Sequence, residues 1–141
     1  MRMDDEPATS RGEELCDAVR AKDVARVKNL LDAGCDPNIP DLRLGLDGAP
    51  ALHDAAGSGA CDLIALLLRA GADVDGRSAS GWTPLMRACN AGEIDAARTL
   101  LDAGADPTLR NDEGYTAWGR IPGYCRELSE LLAQRDGAGP R

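Results

Sequence analysis

The residues of this chain that could do chemistry are one histidine, His53, and five cysteines. A histidine can act as a general base or bind a metal ion, and a cysteine can act as a nucleophile or as a metal ligand. The cysteines are Cys16, Cys35, Cys61, Cys89 and Cys125. They include no C-x-x-C pair, and they do not stand at metal-ligand spacing from His53. An enzyme, or a protein that binds a small ligand or a metal through His53 and a cysteine, therefore remains an alternative without a motif behind it.

The stretch AAGSGA, residues 55–60, invites comparison with loops that bind phosphate or present a nucleophile. Those loops carry G-x-G-x-x-G, G-x-S-x-G or G-K-[ST], and the stretch has none of these patterns. Gly57 and Gly59 are better explained by a turn between two helices. The sequence therefore predicts no catalytic residue, no metal site and no cofactor.

Charge and cysteine usage narrow the class of partner and the compartment. The formal net charge is −8, from 16 basic and 24 acidic residues. This balance argues against nucleic acid and anionic membranes, and it either attracts a basic partner surface or only keeps the protein in solution. The start of the chain, MRMDDEPATS, is no charged-then-apolar leader, and the apolar run LIALLL is only six residues long. We therefore expect no membrane span and a reduced, cytoplasmic location.

One nine-residue phrase occurs three times along the chain. It reads LLDAGCDPN at residues 30–38, LLRAGADVD at 67–75 and LLDAGADPT at 100–108. The second and third copies begin 33 residues apart, at Leu67 and Leu100. The first copy begins at Leu30, which is 37 residues before the second, so four extra residues lie between them. A period of about 33 residues predicts an architecture of stacked repeats.

The third copy shows what each repeat builds. In GWTPLMRACNAG, residues 81–92, Thr83 can cap a helix that begins with Pro84 and ends near Gly92. A second apolar stripe starts at Ile94 and ends before Gly104. Turn residues without a helical stripe follow. Each copy is therefore predicted to be a helix, a tight turn, a second helix and a loop.

The stretch GWTPLMRACNAG and the stretch LLDAGAD that follows it at residues 100–106 together resemble the ankyrin repeat. The motif of that repeat reads T-P-L-H-x-A-A and later L-L-x-x-G-A. The second copy keeps ALHDAAGSG in the same register. The resemblance implies an all-α solenoid of stacked helix-turn-helix units with protruding β-turn or hairpin loops. It covers one domain at residues 11–135, with repeats at about 11–44, 45–77, 78–110 and 111–135, and we expect flexible ends at 1–10 and 136–141. It also implies a monomer.

The resemblance gives several single residues a structural role. His53 matches the motif histidine, which usually bonds to the backbone at a turn. Ser10 and Glu13 read as a capping box for the first helix, and Lys22 stands where the turn glycine would fall. Trp118 replaces the core leucine of the fourth copy, so we expect it to be buried. Of the five cysteines, Cys35 and Cys125 are the ones expected to be more exposed.

Ankyrin-type proteins bind partners with their loop tips and with the exposed sides of the first helices. Carried over residue by residue, this gives the candidates Arg77, Ala79, Ser80, Trp82, Arg87, Asn90, Arg110, Asp112, Glu113 and Tyr115. Trp82 and Tyr115 occupy equivalent loop positions that need no apolar residue, and tryptophan, tyrosine and arginine are common interface anchors. The two rings could instead lie against the neighbouring loop and stiffen it.

The extra residues between the first two copies lie in LRLGLDGAP, residues 42–50. Arg43, Leu44 and Leu46 could contact a partner there, with Asp47 beside them, because exposed apolar loops are uncommon without a use. The segment could equally fold back onto the first repeat. The sequence as a whole favours a non-enzymatic module that binds another protein, as a regulator or an inhibitor, and a purely structural scaffold is the remaining alternative.

Overall fold

The protein is described from a computed structural model that covers residues 8–43, 45–123 and 125–136, with the backbone alone described at residues 8–10, 135 and 136. These residues form seven α-helices and one 3-10 turn, and they include no β-strand. The helices are α1 (Ala8–Arg20), α2 (Val24–Asp32), α3 (Ala51–Gly57), α4 (Cys61–Arg69), α5 (Pro84–Ala91), α6 (Ile94–Asp102) and α7 (Arg126–Asp136), and the 3-10 turn is Ala117–Arg120. The all-α solenoid predicted from the sequence is confirmed.

The helices form two layers. The first helix of each repeat contacts the first helix of the next, so that α1, α3, α5 and the 3-10 turn follow one another. The second helices α2, α4, α6 and α7 form the other layer in the same order. Each repeat therefore packs mainly on its neighbours, as in other stacked-repeat proteins.

Leucines at the repeat period fill the space between the layers. Leu30, Leu67 and Leu100, the first leucines of the three nine-residue phrases, are all buried. The leucine that follows is buried in the third phrase, at Leu101, and only partly buried in the first two. Small buried alanines in α3, α5 and α6 let the helices approach closely, which suits a chain with no phenylalanine.

The aspartates of the repeated phrase tie neighbouring loops together. The backbone N–H of Asp73 donates to Oδ1 of Asn38 at 2.7 Å, and that of Asp106 donates to Oδ1 of Asp75 at 2.9 Å. Within each phrase, Oδ1 of Asp73 accepts from the N–H of Asp75, and Oδ1 of Asp106 accepts from the N–H of Thr108. The phrase therefore recurs because it both turns the chain locally and links one repeat to the next.

Helix ends follow the sequence prediction in the third repeat. Thr83 caps α5 by accepting a hydrogen bond from the N–H of Met86, Pro84 begins the helix, and Gly92 ends it in the left-handed conformation. In the first repeat, Lys22 takes the same left-handed conformation with φ of 54°. The capping-box prediction is wrong, because α1 already includes Ser10. Of the ends predicted to be flexible, residues 8–10 and 136 belong to helices, and the others lie outside the described residues.

The fourth repeat replaces its first helix by the 3-10 turn. Trp118 in this turn is buried, as predicted. The turn is followed by Ile121 and Pro122, and a proline disfavours helical backbone at the residue before it and lacks an N–H of its own. A longer helix therefore cannot pass this point. Among the described helices, none is both long and apolar enough to span a bilayer.

The burial of the repeat leucines predicts a large stability effect. We expect Leu67→Ala to lower the free energy of unfolding by about 2–5 kcal/mol, because it removes a fully buried side chain between two repeats. Urea unfolding followed by circular dichroism measures the change. The matched control is Leu42→Ala, where the leucine is 73% exposed and the expected change stays within about 0.5 kcal/mol. Equal effects of the two substitutions would contradict this packing.

Candidate functional site

His53 lies at the contact between the second and third repeats. It is buried, and its Nε2 is 2.7 Å from the backbone oxygen of Trp82. A carbonyl oxygen only accepts, so Nε2 carries the proton and donates it. Burial lowers the pKa of His53 to about 4, which keeps the ring neutral at physiological pH. This arrangement uses the histidine to join two repeats.

The cysteines are mostly buried. Burial raises the pKa of both Cys16 and Cys89 to about 12, so these thiols stay protonated and are poor nucleophiles. Cys35 and Cys125 are buried as well, so the expectation that they are the more exposed pair is wrong, and Cys61 is the partly exposed one. Cys35 lies at the loop turn after α2, where its Sγ donates to the backbone oxygen of Arg11. Among the described residues, no group of three or more histidine, cysteine or acidic side chains is placed to hold a metal ion.

The inserted segment folds back onto the first repeat through Arg43. Nη2 of Arg43 lies 2.8 Å from Asp17 in α1 and 2.6 Å from Asp41, which Arg20 also contacts at 2.9 Å. Asp41 is fully buried, and the hydrogen bonds from Arg43 hold the pKa of its carboxyl well below the usual range. Arg43 thus pairs with residues of its own chain, in line with the alternative that the segment folds back onto the first repeat.

The leucines of the same segment differ from one another. Leu42 is largely exposed, and a methyl group built on Gly48 would lie 3.6 Å from its Cδ2 and 3.7 Å from Cβ of Ala79. Leu42 therefore stands beside the tip of the next loop. Leu46 is partly buried, and Leu44 lies outside the described residues.

Hydrogen bonds join the loop tips in series. Asp47 accepts from the hydroxyls of Ser78 and Ser80 at 2.7 Å each, and its backbone oxygen accepts from the N–H of Ala79. The backbone oxygen of Ser80 in turn accepts from the N–H of Asp112 at 3.0 Å. Three successive loops are therefore connected through their tips.

Two of the predicted contact arginines donate hydrogen bonds to loop backbone. Arg77 links two loops, and Arg110 bonds within its own loop. Nη1 of Arg77 donates to the backbone oxygen of Arg110 at 3.0 Å, and Nη1 of Arg110 donates to that of Gly114 at 2.7 Å. Arg77, Arg110, Asp112 and Glu113 are all exposed to solvent.

Trp82 and Tyr115 each stand on a short backbone turn with a buried polar residue at its base. Ser78 and Trp82 share two hydrogen bonds, from the N–H of Ser78 to the backbone oxygen of Trp82 and from the N–H of Trp82 to Oγ of Ser78. Asn111 makes the corresponding pair of bonds with Tyr115. Sequence reasoning missed Ser78 and Asn111, although they stand one repeat period apart and each precedes its aromatic residue by four positions.

The side chains of Trp82, Arg87, Tyr115 and Arg120 form a group that we call the Arg–aromatic cluster. Cζ of Arg87 lies 5.4 Å and Cζ of Arg120 4.7 Å from the centroid of the Trp82 indole, and Cζ of Arg120 is 5.3 Å from the centroid of the Tyr115 ring. These distances are typical of cation–π contacts. Asn90, another predicted contact residue, accepts a hydrogen bond from Arg120 at 3.3 Å.

Arg120 was not among the residues predicted from the sequence. It follows Arg87 by one repeat period, so this period was the signal that could have identified it. The structure brings four predicted residues together around it: Trp82, Arg87, Asn90 and Tyr115. Arg43 and Asp41 belong to a separate ionic group on the first repeat.

The buried histidine predicts a specific pH dependence of stability. The unfolded chain binds a proton at His53 below about pH 6.5, whereas the folded protein binds it only near pH 4. The free energy of unfolding should therefore fall as the pH decreases through this window. His53→Gln keeps a side-chain N–H donor for the Trp82 oxygen and does not titrate. Between pH 7 and pH 5 we expect the free energy of unfolding to fall by about 2 kcal/mol more for the wild type than for the variant.

Urea unfolding of both proteins at several pH values measures this difference. Because the carboxylates titrate in both proteins, their contributions cancel in the comparison. Parallel curves for the wild type and His53→Gln would contradict the neutral, buried state of His53.

Comparison with known proteins identifies the same kind of repeat in other chains. A family model described as ankyrin repeats in three copies matches residues 15–111, more than half of the chain. The E3 ubiquitin-protein ligase XBAT33 of Arabidopsis thaliana is 40% identical over 83 residues, which are 57% of this chain and 15% of the ligase. Protein phosphatase 1 regulatory subunit 27 of Homo sapiens is 46% identical over 43 residues, 30% of this chain and 28% of that subunit. Potassium channel AKT1 of Oryza sativa subsp. indica is 38% identical over 69 residues, 49% of this chain and 7% of the channel.

The chain thus spans less than a third of the length of each of these relatives. Ankyrin repeats mediate protein–protein interaction, and the family is generally a non-enzymatic interaction module. The repeat period, the two layers of stacked helices and the family match show that this chain belongs to the ankyrin-repeat family.

Proposed function

We propose that this protein holds a partner protein on its concave face, which consists of the loop tips and the exposed sides of α1, α3, α5 and the 3-10 turn. The observation that carries the proposal is the Arg–aromatic cluster. Tyr115 is 44% exposed, and Trp82, Arg87 and Arg120 are partly exposed. Tryptophan, tyrosine and arginine dominate the binding energy of many protein interfaces.

The other predicted contact residues surround this cluster in the proposal. Asn90 borders it on α5, and the loop tips contribute Arg77, Ser80, Arg110, Asp112 and Glu113. The inserted segment contributes its exposed Leu42 and its partly buried Leu46, while Arg43 anchors the segment to the first repeat. Hydrogen bonds between the loops restrain this surface before binding, which reduces the entropy that a partner has to remove.

We further propose that binding regulates or inhibits the partner. Besides regulatory subunit 27, protein phosphatase 1 regulatory subunit 12A of Mus musculus is 42% identical to this chain over 53 residues, 38% of the chain and 5% of that subunit. The similarity supports a regulatory role in general and names no partner for this chain.

The proposal includes a monomer in a reducing, cytoplasmic environment that binds neither nucleic acid nor membranes. The free thiols support the environment, because all five cysteines lack a disulfide and four of them are buried. The net charge of −8 supports the exclusion of phosphate polymers.

A pull-down from an extract of the native cell tests the proposed face. We expect the wild type to capture a protein that the double variant Trp82→Ala/Tyr115→Ala loses, because the variant removes both rings of the Arg–aromatic cluster. Tyr115→Ala alone should weaken capture with little effect on stability, since this ring is the more exposed one.

The matched control is Val24→Ala, which shortens an exposed apolar side chain on α2, outside the concave face. Circular dichroism establishes that every variant is folded. If the wild type and the double variant capture the same proteins in the same amounts, the aromatic rings are not part of the binding surface, and the proposed face is wrong.

A further inference from the structure

Two positive charges share one aromatic ring in the Arg–aromatic cluster. The guanidinium groups of Arg87 and Arg120 both lie over the indole of Trp82, at 5.4 Å and 4.7 Å from its centroid. Each is attracted by the ring, and each is repelled by the other. A negative charge between or beside them would relieve this repulsion.

The described part of the chain supplies little of that negative charge. Among the described residues, Asp47 is the carboxylate that pairs with Arg87, at 3.9 Å, and its oxygens already accept hydrogen bonds from Ser78 and Ser80 at 2.7 Å. The carboxylate of Asp54 also attracts Arg87, but it pairs with Arg20 at 3.1 Å. Arg120 makes no ion pair with any described residue and donates only to the neutral amide of Asn90. The contrast with the first repeat is clear, because Arg43 there contacts two carboxylates within 2.8 Å.

The guanidinium groups also retain unused donors. Each arginine carries five N–H groups, and Arg120 places one of them on a protein acceptor. A planar guanidinium pairs with a carboxylate through two parallel hydrogen bonds. Because the ring contacts hold both groups on the Trp82 indole, little side-chain entropy remains to be lost when a carboxylate binds.

The surroundings favour a single carboxylate over a polyanion. The exposed Asp112 and Glu113 stand on the loop that carries Tyr115, and the whole chain has a net charge of −8. A phosphate backbone would bring several negative charges against these acids. One acidic side chain needs only the cluster itself.

We propose that the Arg–aromatic cluster binds an aspartate or glutamate side chain in a segment of the partner protein, with an apolar neighbour of that residue against the ring of Tyr115. This inference rests on the proposed function and adds the chemistry of the partner. The inference gives charge two separate effects. The net charge of −8 acts on the partner at long range, whereas the Arg–aromatic cluster selects an acidic residue at contact.

A phage-displayed library of random 12-residue peptides, selected against the full chain, provides the probe. We expect the peptides enriched by the wild type to share an aspartate or glutamate next to an apolar residue, and Arg87→Gln/Arg120→Gln to lose this enrichment. The matched control is Arg69→Gln/Arg98→Gln, which removes the same charge from exposed positions on α4 and α6 and should keep the enrichment.

One selected peptide is then synthesised in two forms, with its acidic residue and with the corresponding amide. Fluorescence polarisation measures the affinity of each form for the wild type and for Arg87→Gln/Arg120→Gln. We expect the amide in the peptide to weaken binding about tenfold or more, and the double arginine variant to do the same. The amide peptide should bind the variant no more weakly than this, because both changes remove the same contact. If the double arginine variant does not fold, the amide peptide tests the contact on the unaltered protein.

The outcomes distinguish the two proposals. Additive losses, or enriched peptides without a common acidic residue, would overturn the acidic-partner inference and leave protein binding by this face intact. Wild-type binding of a labelled single-stranded DNA that Arg87→Gln/Arg120→Gln abolishes would overturn it in favour of a nucleic acid. If no peptide is enriched, the inference is overturned, and the extract pull-down then decides whether the proposed function fails with it.

Discussion

Each repeat in this chain has apolar side chains that it can remove from water only by stacking against a neighbouring repeat. This constraint explains the composition as well as the repeat. The buried leucines recur once per repeat period in the second and third repeats because each has to meet a neighbour of the same shape. Alanines such as Ala55 and Ala88 occupy the close contacts, so that the core needs no phenylalanine. The position of every loop tip follows from this stacking.

Polar contacts between the repeats determine how the loop tips are oriented. His53 donates from one repeat to the backbone oxygen of Trp82 in the next, and Asp47 bonds to the serines of the following loop. The chain thereby places Trp82 with its backbone fixed on one side and its ring against Arg87 and Arg120 on the other. His53, which matches the structural histidine of the repeat motif, thus holds the backbone of the proposed binding surface.

Much of the fold could be predicted from the sequence, because turns, caps and apolar stripes are local patterns. Thr83, Pro84 and Gly92 mark the ends of α5 without any knowledge of the rest of the chain. The contacts of single side chains depend on which repeats meet, and a local pattern does not contain that information. The reach of Arg43 to α1, across 26 residues, and the place of Arg120 above Trp82 are examples. The candidate site was therefore predicted as a face, while its central cluster required the structure.

The central claim is that stacking the repeats presents one restrained binding face of loop tips and first helices. Hydrogen–deuterium exchange, measured on the free protein and on its complex with the captured partner, tests this claim most directly. We expect added protection in α5 and in the loop tips at residues 78–82 and 111–115, with no change in α2, α4 and α6. Protection confined to those second helices would contradict the claim, because the partner would then bind the opposite side of the solenoid.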